Sequence, residues 1–521
     1  MSWRTTRAAA YLGQPSRQVA VIDLGSNSWR LVVFTFVPRV WWKRTDELYE
    51  TVRIGAGMGE SGRLSDEAMA RGLETLTVFE HFRAANKLAP SDVHAVATSA
   101  IRDATNGRSF VRTAERATGL EIEILSAREE ARLGYLAAVN TTTLRDGAVL
   151  ELGGGSMQLI EVADRQSGAL CSVPLGAVRL TEEFLSDSRP ARKKELERIR
   201  ARVRETLTEV PWLPVARERL VGIGGAVRNL ASAAQHAAGQ DDFGVDGYVL
   251  TREALGELIS ELAAMKPVER GSVPGIKPGR GDIILAAALT IEGVLDVGGF
   301  TGIEATEAGL REGVFFEREL LAGGRPLFDD VRASAVRNLA IQYESDLDHV
   351  EHVAQLSLQM FDSLIEAGLF EPADGERELL WAAAMLHDVG MTISYDDHHK
   401  HSRYLIVSAE LPGFDPRERA LIGQISRYHR KGAPKLGEMA AVAREGDEEL
   451  VARCSVILRL AEHLERGRDQ SVRKVRLRGN GDGVDLHLDA AGDLTLPRWS
   501  VDRYGDGEAF ERVFGRRLLI G

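Results

Sequence analysis

The sequence predicts an α/β protein made of two related halves, followed by a separate helical domain. Three observations point to it. Two stretches repeat one pattern: Ala20-Val-Ile-Asp23-Leu-Gly25-Ser26-Asn27-Ser28-Trp-Arg-Leu31 and Ala148-Val-Leu-Glu151-Leu-Gly153-Gly154-Gly155-Ser156-Met-Gln-Leu159. The acid, the first glycine, the serine and the leucine superimpose at one constant offset. From 18 to 320, short strand-like runs alternate with helical periodicity, as in layered α/β folds. Past Ala322-Gly-Gly-Arg-Pro326, residues 330–470 carry apolar residues at i, i+3 and i+4 with few β-branched runs.

The composition bounds the rest. At 521 residues the chain is too long for a single core. A net charge of −12 gives no general basic field, so neither nucleic acid nor a membrane is an expected partner, and a polyanionic substrate needs a local basic patch. Two cysteines, Cys171 and Cys454, argue against a disulfide framework and for a reducing cytoplasm. Every apolar run is interrupted by Gly, Arg or Glu before it reaches membrane-spanning length. Residues 1–17 read as a loose extension with too little apolar length for a signal peptide.

In chain order, residues 18–60 alternate like strands, and 65–88 turn helical behind the cap Ser65. The first repeat closes its strand on Asp23, and Gly25–Ser28 form a turn whose N–H groups suit a phosphate. Residues 93–98 form a strand, and Arg102 stands at the strand-to-helix junction behind it, where it either reaches a phosphate oxygen or pairs with Asp103. After the strand 121–125, Ser126 and Glu129 make a capping box; Glu129 either caps the helix or faces the loops and handles water. The second repeat places Glu151 before Gly153–Ser156, and an acid at that offset suits a magnesium ion bridging to phosphate. A third glycine turn, Gly222-Ile-Gly224-Gly225-Ala, opens a helix whose N-terminus attracts anions. Helices are expected at 191–210, 249–265 and 282–295, with Arg270, Lys277 and Arg280 on the loop between the last two. A short strand and a last helix follow at 302–319.

In the helical domain, seven of the twelve histidines fall between positions 349 and 429. His349, the pair His387-Asp388, the run His398-His399-Lys400-His401, His429 and the later Glu462 have metal-ligand character or are polar surface. The tail 471–521 alternates and predicts a few closing strands.

These motifs resemble, in order, those of the exopolyphosphatase and guanosine pentaphosphate phosphohydrolase (Ppx/GppA) family. They include Asp23-Leu-Gly-Ser-Asn-Ser, Ala97-Thr-Ser-Ala-Ile-Arg102-Asp-Ala, Ser126-Ala-Arg-Glu129-Glu-Ala-Arg-Leu, Glu151-Leu-Gly-Gly-Gly-Ser, Gly176-Ala-Val-Arg-Leu-Thr-Glu, Gly224-Gly-Ala-Val-Arg-Asn-Leu and Gly309-Leu-Arg-Glu-Gly. The likeness is dense from 18 to about 320. It continues through His349-x-x-x-Val-Ala, Leu386-His-Asp-Val-Gly and His398-His-Lys-His-Ser, which look like the HD-type helical domain of the family's long members.

The resemblance implies an actin-like, two-lobed fold of the ribonuclease H-like class. Lobe I would run over 18–135 and lobe II over 136–322, followed by a helical HD-like domain at 330–470 and a strand-rich tail at 471–521. It implies a cytoplasmic, homodimeric hydrolase that uses Mg²⁺ to release terminal phosphate from inorganic polyphosphate or guanosine pentaphosphate. Glu129 would handle the water, Asp23 and Glu151 the metal. Gly25–Ser28, Arg102, Gly153–Ser156, Gly224 and Gly225 would hold phosphates, and His349, His387, Asp388 and Glu462 are the HD-like metal set. Three positions depart from the family pattern: Glu151 stands where Asp is usual, Met157-Gln158 replaces Thr-Glu, and Glu462 replaces a late Asp. The loss of a carboxylate at Gln158 raises the rival of a weakly active or non-catalytic polyphosphate- or alarmone-binding protein.

Overall fold

The computed structural model describes residues 15–215, 219–481, 483–504 and 506–520; most of the expected N-terminal extension, residues 1–14, lies outside them. The chain divides at Val331/Arg332 into two compact units.

The first unit contains two sheets of related topology. β1 (Arg17–Leu24), β2 (Trp29–Val37) and β3 (Trp41–Glu50) form an antiparallel meander; β4 (Val93–Ala97) adds parallel to β1, and β5 (Ile122–Ile124) parallel to β4. The second sheet repeats this: β6 (Gly147–Leu152), β7 (Met157–Ala163) and β8 (Gln166–Val173) form the meander, β9 (Arg219–Ile223) joins parallel to β6, and β11 (Gly302–Ala305) follows. β10 (Val249–Thr251) adds an antiparallel edge. Buried on both faces, β1 and β6 read as apolar runs rather than alternating ones. The residues expected to open a helix at 249 form the edge strand β10 instead. Helix α8 starts behind it because Thr251 caps the N–H of Ala254.

Helices pack on the sheets: α1 (Asp66–Ala85), α2 (Ser99–Asp103), α3 (Gly107–Thr118), α4 (Ala127–Thr141), α5 (Ala177–Phe184), α6 (Lys193–Leu207), α7 (Gly225–Ala237), α8 (Arg252–Ala264), α9 (Ile284–Gly298) and α10 (Leu310–Phe315). α4 is the hinge of the arrangement. Its apolar face (Ala131, Leu133, Leu136, Val139) sits in one cluster with Val19 and Val21 of β1, Val149 of β6 and Ile160 of β7. α10 closes the same cluster, with Phe315 stacked on Phe34 at 4.2 Å. Both sheets therefore meet through α4, and their first hairpins point toward one cleft.

The second unit is helical: α11 (Val331–Gln342), α12 (Leu347–Glu366), α13 (Glu376–Leu386), α14 (His398–Ser408), α15 (Pro416–Arg427) and α16 (Asp447–Leu464). The tail forms β12 (Val472–Asn480), β13 (Gly483–Ala490) and β14 (Arg517–Ile520), and between the last two it also forms α17 (Thr495–Arg503) and α18 (Asp506–Phe514). These two helices were not among the expected strands. Their one-sided burial (Pro497, Ser500 and Val501; Ala509 and Phe510) has helical spacing, which is too short a signal in the sequence to override the flanking alternation. Among the described residues no helix is long and apolar enough to cross a membrane.

Candidate active site

The two hairpins bring their acids to equivalent places. Asp23 pairs with Arg30 across β1–β2, and Glu151 pairs with Gln158 across β6–β7. The turn between β6 and β7 closes by Gly153 N–H donating to the Ser156 carbonyl at 3.0 Å. The N-terminus of α5 then ties that loop down, with Ala177 and Val178 N–H donating to the Gly153 and Gly154 carbonyls at 3.0 and 2.9 Å. Gly176 is required for this approach: a Cβ there would lie 2.2 Å from the Gly154 oxygen. In the first loop, the Trp29 indole donates to the Gly25 carbonyl at 3.0 Å, and Ser26 Oγ shares a 2.9 Å hydrogen bond with Ser99 Oγ at the start of α2. A cavity of about 420 Å³ between the loops is lined by Ser26, Asn27, Ser99, Gly154, Gly155 and Arg179. Gly224, at φ +102°, begins α7 with its N-terminus turned toward β6, and Gly225 leaves room for the Arg280 guanidinium, which a Cβ would meet at 2.4 Å. Neither Gly224 nor Gly225 borders the cavity itself.

Glu129 does not join this cleft. It is exposed, and its carboxylate accepts from Ser126 N–H at 2.9 Å and Ser126 Oγ at 2.7 Å, which holds it below the usual carboxylate range. The capping box engages its carboxylate, and it is the neighbouring Glu130, not the expected Glu129, that turns inward toward the loops. Glu130 is buried and accepts from Arg102 Nη1 at 2.6 Å, and the same nitrogen donates to the Leu125 carbonyl at 3.1 Å. Arg102 also reaches Asp103 at 3.2 Å, the ion pair that the sequence offers as one of its two readings.

Asp23, Glu130 and Glu151 form one group of carboxyls. Burial pushes Glu151 well up, and the charges of Glu130 and Asp23 push it further. Burial also raises Glu130, against the opposing pull of Arg102. Asp23 is raised by burial and partly drawn back by Arg311 and Arg30. Glu151 Oε2 is buried with no hydrogen-bond partner, and Gly134, one turn beyond Glu130 on α4, makes space for it. A Cβ on Gly134 would lie 2.6 Å from that oxygen and 2.9 Å from Ile223 Cδ1. The extra methylene of Glu151 is thus matched by a missing side chain opposite. Gln158 is buried and donates to Ser156 Oγ at 3.1 Å, bracing the loop without adding charge.

Three arginines complete the site from positions that the motifs contained but spacing did not single out. Arg30 faces Asp23 in the hairpin, Arg228 lies on α7 and Arg311 on α10. Burial lowers Arg228 to about 10, and the neighbouring charges of Arg311 and Arg30 add to that. Cations that repel one another in a recessed place are stabilised by an entering polyanion.

The comparisons with known proteins agree with this fold. A Guanosine-5'-triphosphate,3'-diphosphate pyrophosphatase of Vibrio vulnificus is 27% identical over 475 residues, covering 90% of this chain and 92% of that protein. The crystal structure of the Aquifex aeolicus Ppx/GppA family member superimposes with a TM-score of 0.50 at 26% identity, covering 58% of this chain and 97% of that one. An exopolyphosphatase from Cytophaga hutchinsonii shares the fold at 23% identity and a TM-score of 0.53, covering 58% of this chain and 97% of its own. Residues 45–322 match the Ppx/GppA phosphatase family and residues 331–495 match Ppx/GppA phosphatase domain III. With its two actin-like lobes and carboxylate-lined glycine loops, the chain belongs to the Ppx/GppA phosphatase family.

Proposed function

We propose that the chain is an exopolyphosphatase: it hydrolyses the terminal phosphoanhydride of inorganic polyphosphate and releases orthophosphate. The observation that carries this reading is the meeting of three recessed carboxyls, Asp23, Glu130 and Glu151, between two glycine loops. Glu130 is the base. Its carboxylate, aimed by Arg102, takes a proton from water as the water oxygen bonds to the terminal phosphorus. The bridging P–O bond breaks and the shortened chain leaves with the bonding electrons. The loop N–H groups and Arg30, Arg228 and Arg311 hold the phosphoryl oxygens as their charge redistributes.

Asp23 and Glu151 fit a magnesium ion, because Glu151 Oε2 is buried without a partner and its charge is opposed by two neighbouring acids. Magnesium held there would neutralise phosphate charge and polarise the transferring group.

Guanosine pentaphosphate is the second reading. It is favoured by the likeness to the Vibrio vulnificus protein along nearly the whole chain, and by an apolar cavity wall of Ala56, Met58, Val178 and Ile283 that suits a base. The test is phosphate release with Mg²⁺ from long-chain polyphosphate and guanosine pentaphosphate, separately and in competition. The preferred substrate inhibits turnover of the other at the lower concentration. Binding of both with release from neither would replace hydrolysis by sensing, and Gln158→Glu would then create activity.

A further inference from the structure

The first unit holds a second cavity, of about 540 Å³, that the proposed hydrolysis leaves unused. It opens between the end of β5 and the starts of α3 and α4, and Arg102, Arg108, Arg112, Leu125, Ser126 and Glu129 line it. α2 divides it from the cavity between the glycine loops. Ser99, Ala100 and Asp103 of that helix border the loop cavity, whereas Arg102, set off around the helix axis, borders the second one.

The charges of this cavity are unbalanced. Arg108 sits in the first turn of α3, which carries no acidic residue, so its cation stands against the positive end of the helix. Arg112 follows one turn later, where a like charge is destabilising. Neither side chain makes a hydrogen bond or ion pair among the described residues. Arg102 has donors to spare. Its Nε donates to Asp103 at 3.2 Å, and its Nη1 donates to the Leu125 carbonyl at 3.1 Å and to Glu130 at 2.6 Å. Both N–H groups of Nη2 are left over. The carboxylate on the wall, Glu129, is engaged by Ser126, and the arginines whose charge acts on it are Arg132 and Arg318, neither of them in the wall. Three guanidinium groups short of counter-charge are what an entering oxyanion stabilises.

Arg102 joins this cavity to the chemistry. An in-line displacement brings water to the phosphorus opposite the leaving chain. With the chain in the loop cavity, the water and its base Glu130 act on the far side, where Arg102 and Leu125 stand between Glu130 and the second cavity. A polyphosphate shortened by one unit and still seated in the loop cavity blocks that way out for the orthophosphate just released. We infer that the cavity of Arg102, Arg108 and Arg112 is a binding site for inorganic orthophosphate, distinct from the site of the substrate chain, through which the product leaves while the chain stays. Its part in turnover rests on the hydrolase reading; its affinity for phosphate does not.

The experiment measures inorganic phosphate binding to the full chain by equilibrium dialysis in EDTA, which leaves the carboxyl-lined cleft without metal. Product inhibition of polyphosphate hydrolysis is then read with Mg²⁺. Wild type binds phosphate, and the double variant Arg108→Ala/Arg112→Ala binds it at least about tenfold more weakly, because charge-assisted hydrogen bonds are lost. Arg108→Lys/Arg112→Lys keeps the charges and recovers most of the binding. Phosphate raises the melting temperature of wild type but not of the alanine variant, which melts no lower without phosphate because both side chains are exposed. In turnover, added phosphate lowers kcat of wild type rather than raising KM, and the alanine variant escapes this inhibition. A wild type that binds no phosphate, an alanine variant that binds it equally well, or inhibition purely competitive with polyphosphate would overturn the inference. Arginine-dependent binding in a chain that hydrolyses neither substrate would overturn the hydrolase reading and the exit role, and uphold the phosphate site.

Discussion

Two adjacent glutamates do different work. Glu129 closes a capping box in solvent, and Glu130 points at Asp23 and Glu151 with Arg102 on its carboxylate. Glu129→Gln preserves a capping acceptor, so phosphate release stays within about two- to threefold, the size of a surface effect of ~0.5 kcal/mol. The capping box was legible in the sequence because Ser126 and Glu129 have the right spacing. Which glutamate faces the cleft was not, because that depends on how α4 rotates against two sheets distant in the chain. Gly134 was illegible for the same reason. Gly134→Ala drives a Cβ toward Glu151 Oε2 and costs about 1–3 kcal/mol in thermal melts, with weaker Mg²⁺ dependence of turnover. Adding Glu151→Asp withdraws the oxygen and restores stability, a positive coupling of about 1 kcal/mol in the double-mutant cycle. Additive losses would mean that the two positions do not share this space.

At the scale of elements, the site is a pair of hairpins held face to face by α4. Their likeness was legible because acid, glycine and serine recur at one offset; the register that sets Arg30 opposite Asp23 and Gln158 opposite Glu151 follows once the turns are placed. The arginines on α7 and α10 were not, since nothing local says that two remote helix starts reach the same cleft. Concentrating carboxyls here has a stability consequence. Asp23, Glu130 and Glu151 are raised in the folded chain, so their contribution is most favourable below the ordinary carboxylate range and is lost as pH rises through the raised values. In EDTA at pH 7, Glu151→Gln therefore melts above wild type, and the difference shrinks as pH falls toward 5. Saturating Mg²⁺ reverses the order. A difference that is independent of pH and Mg²⁺ would show that the three groups do not repel one another.

For the whole molecule, the break after the Gly-Gly-Arg-Pro run was legible from the switch to helical periodicity, while the helices within the tail were hidden by short flanking strands. Calorimetry of the chelated chain should show Mg²⁺ raising a melting transition through the carboxyls of the first unit. At a hundredfold excess over Kd the gain is about 2.7 kcal/mol, or a few degrees. Asp23→Asn should abolish this response; an undiminished response in that variant would place the ion elsewhere. The central claim is hydrolysis of a terminal phosphoanhydride with Glu130 as the base. Its most direct test is phosphate release by the full chain with Mg²⁺, from polyphosphate and from guanosine pentaphosphate, comparing wild type with Glu130→Gln. The account predicts release by wild type that falls about 10²- to 10⁴-fold in Glu130→Gln. Release that survives Glu130→Gln, or its absence from wild type on both substrates, would contradict it.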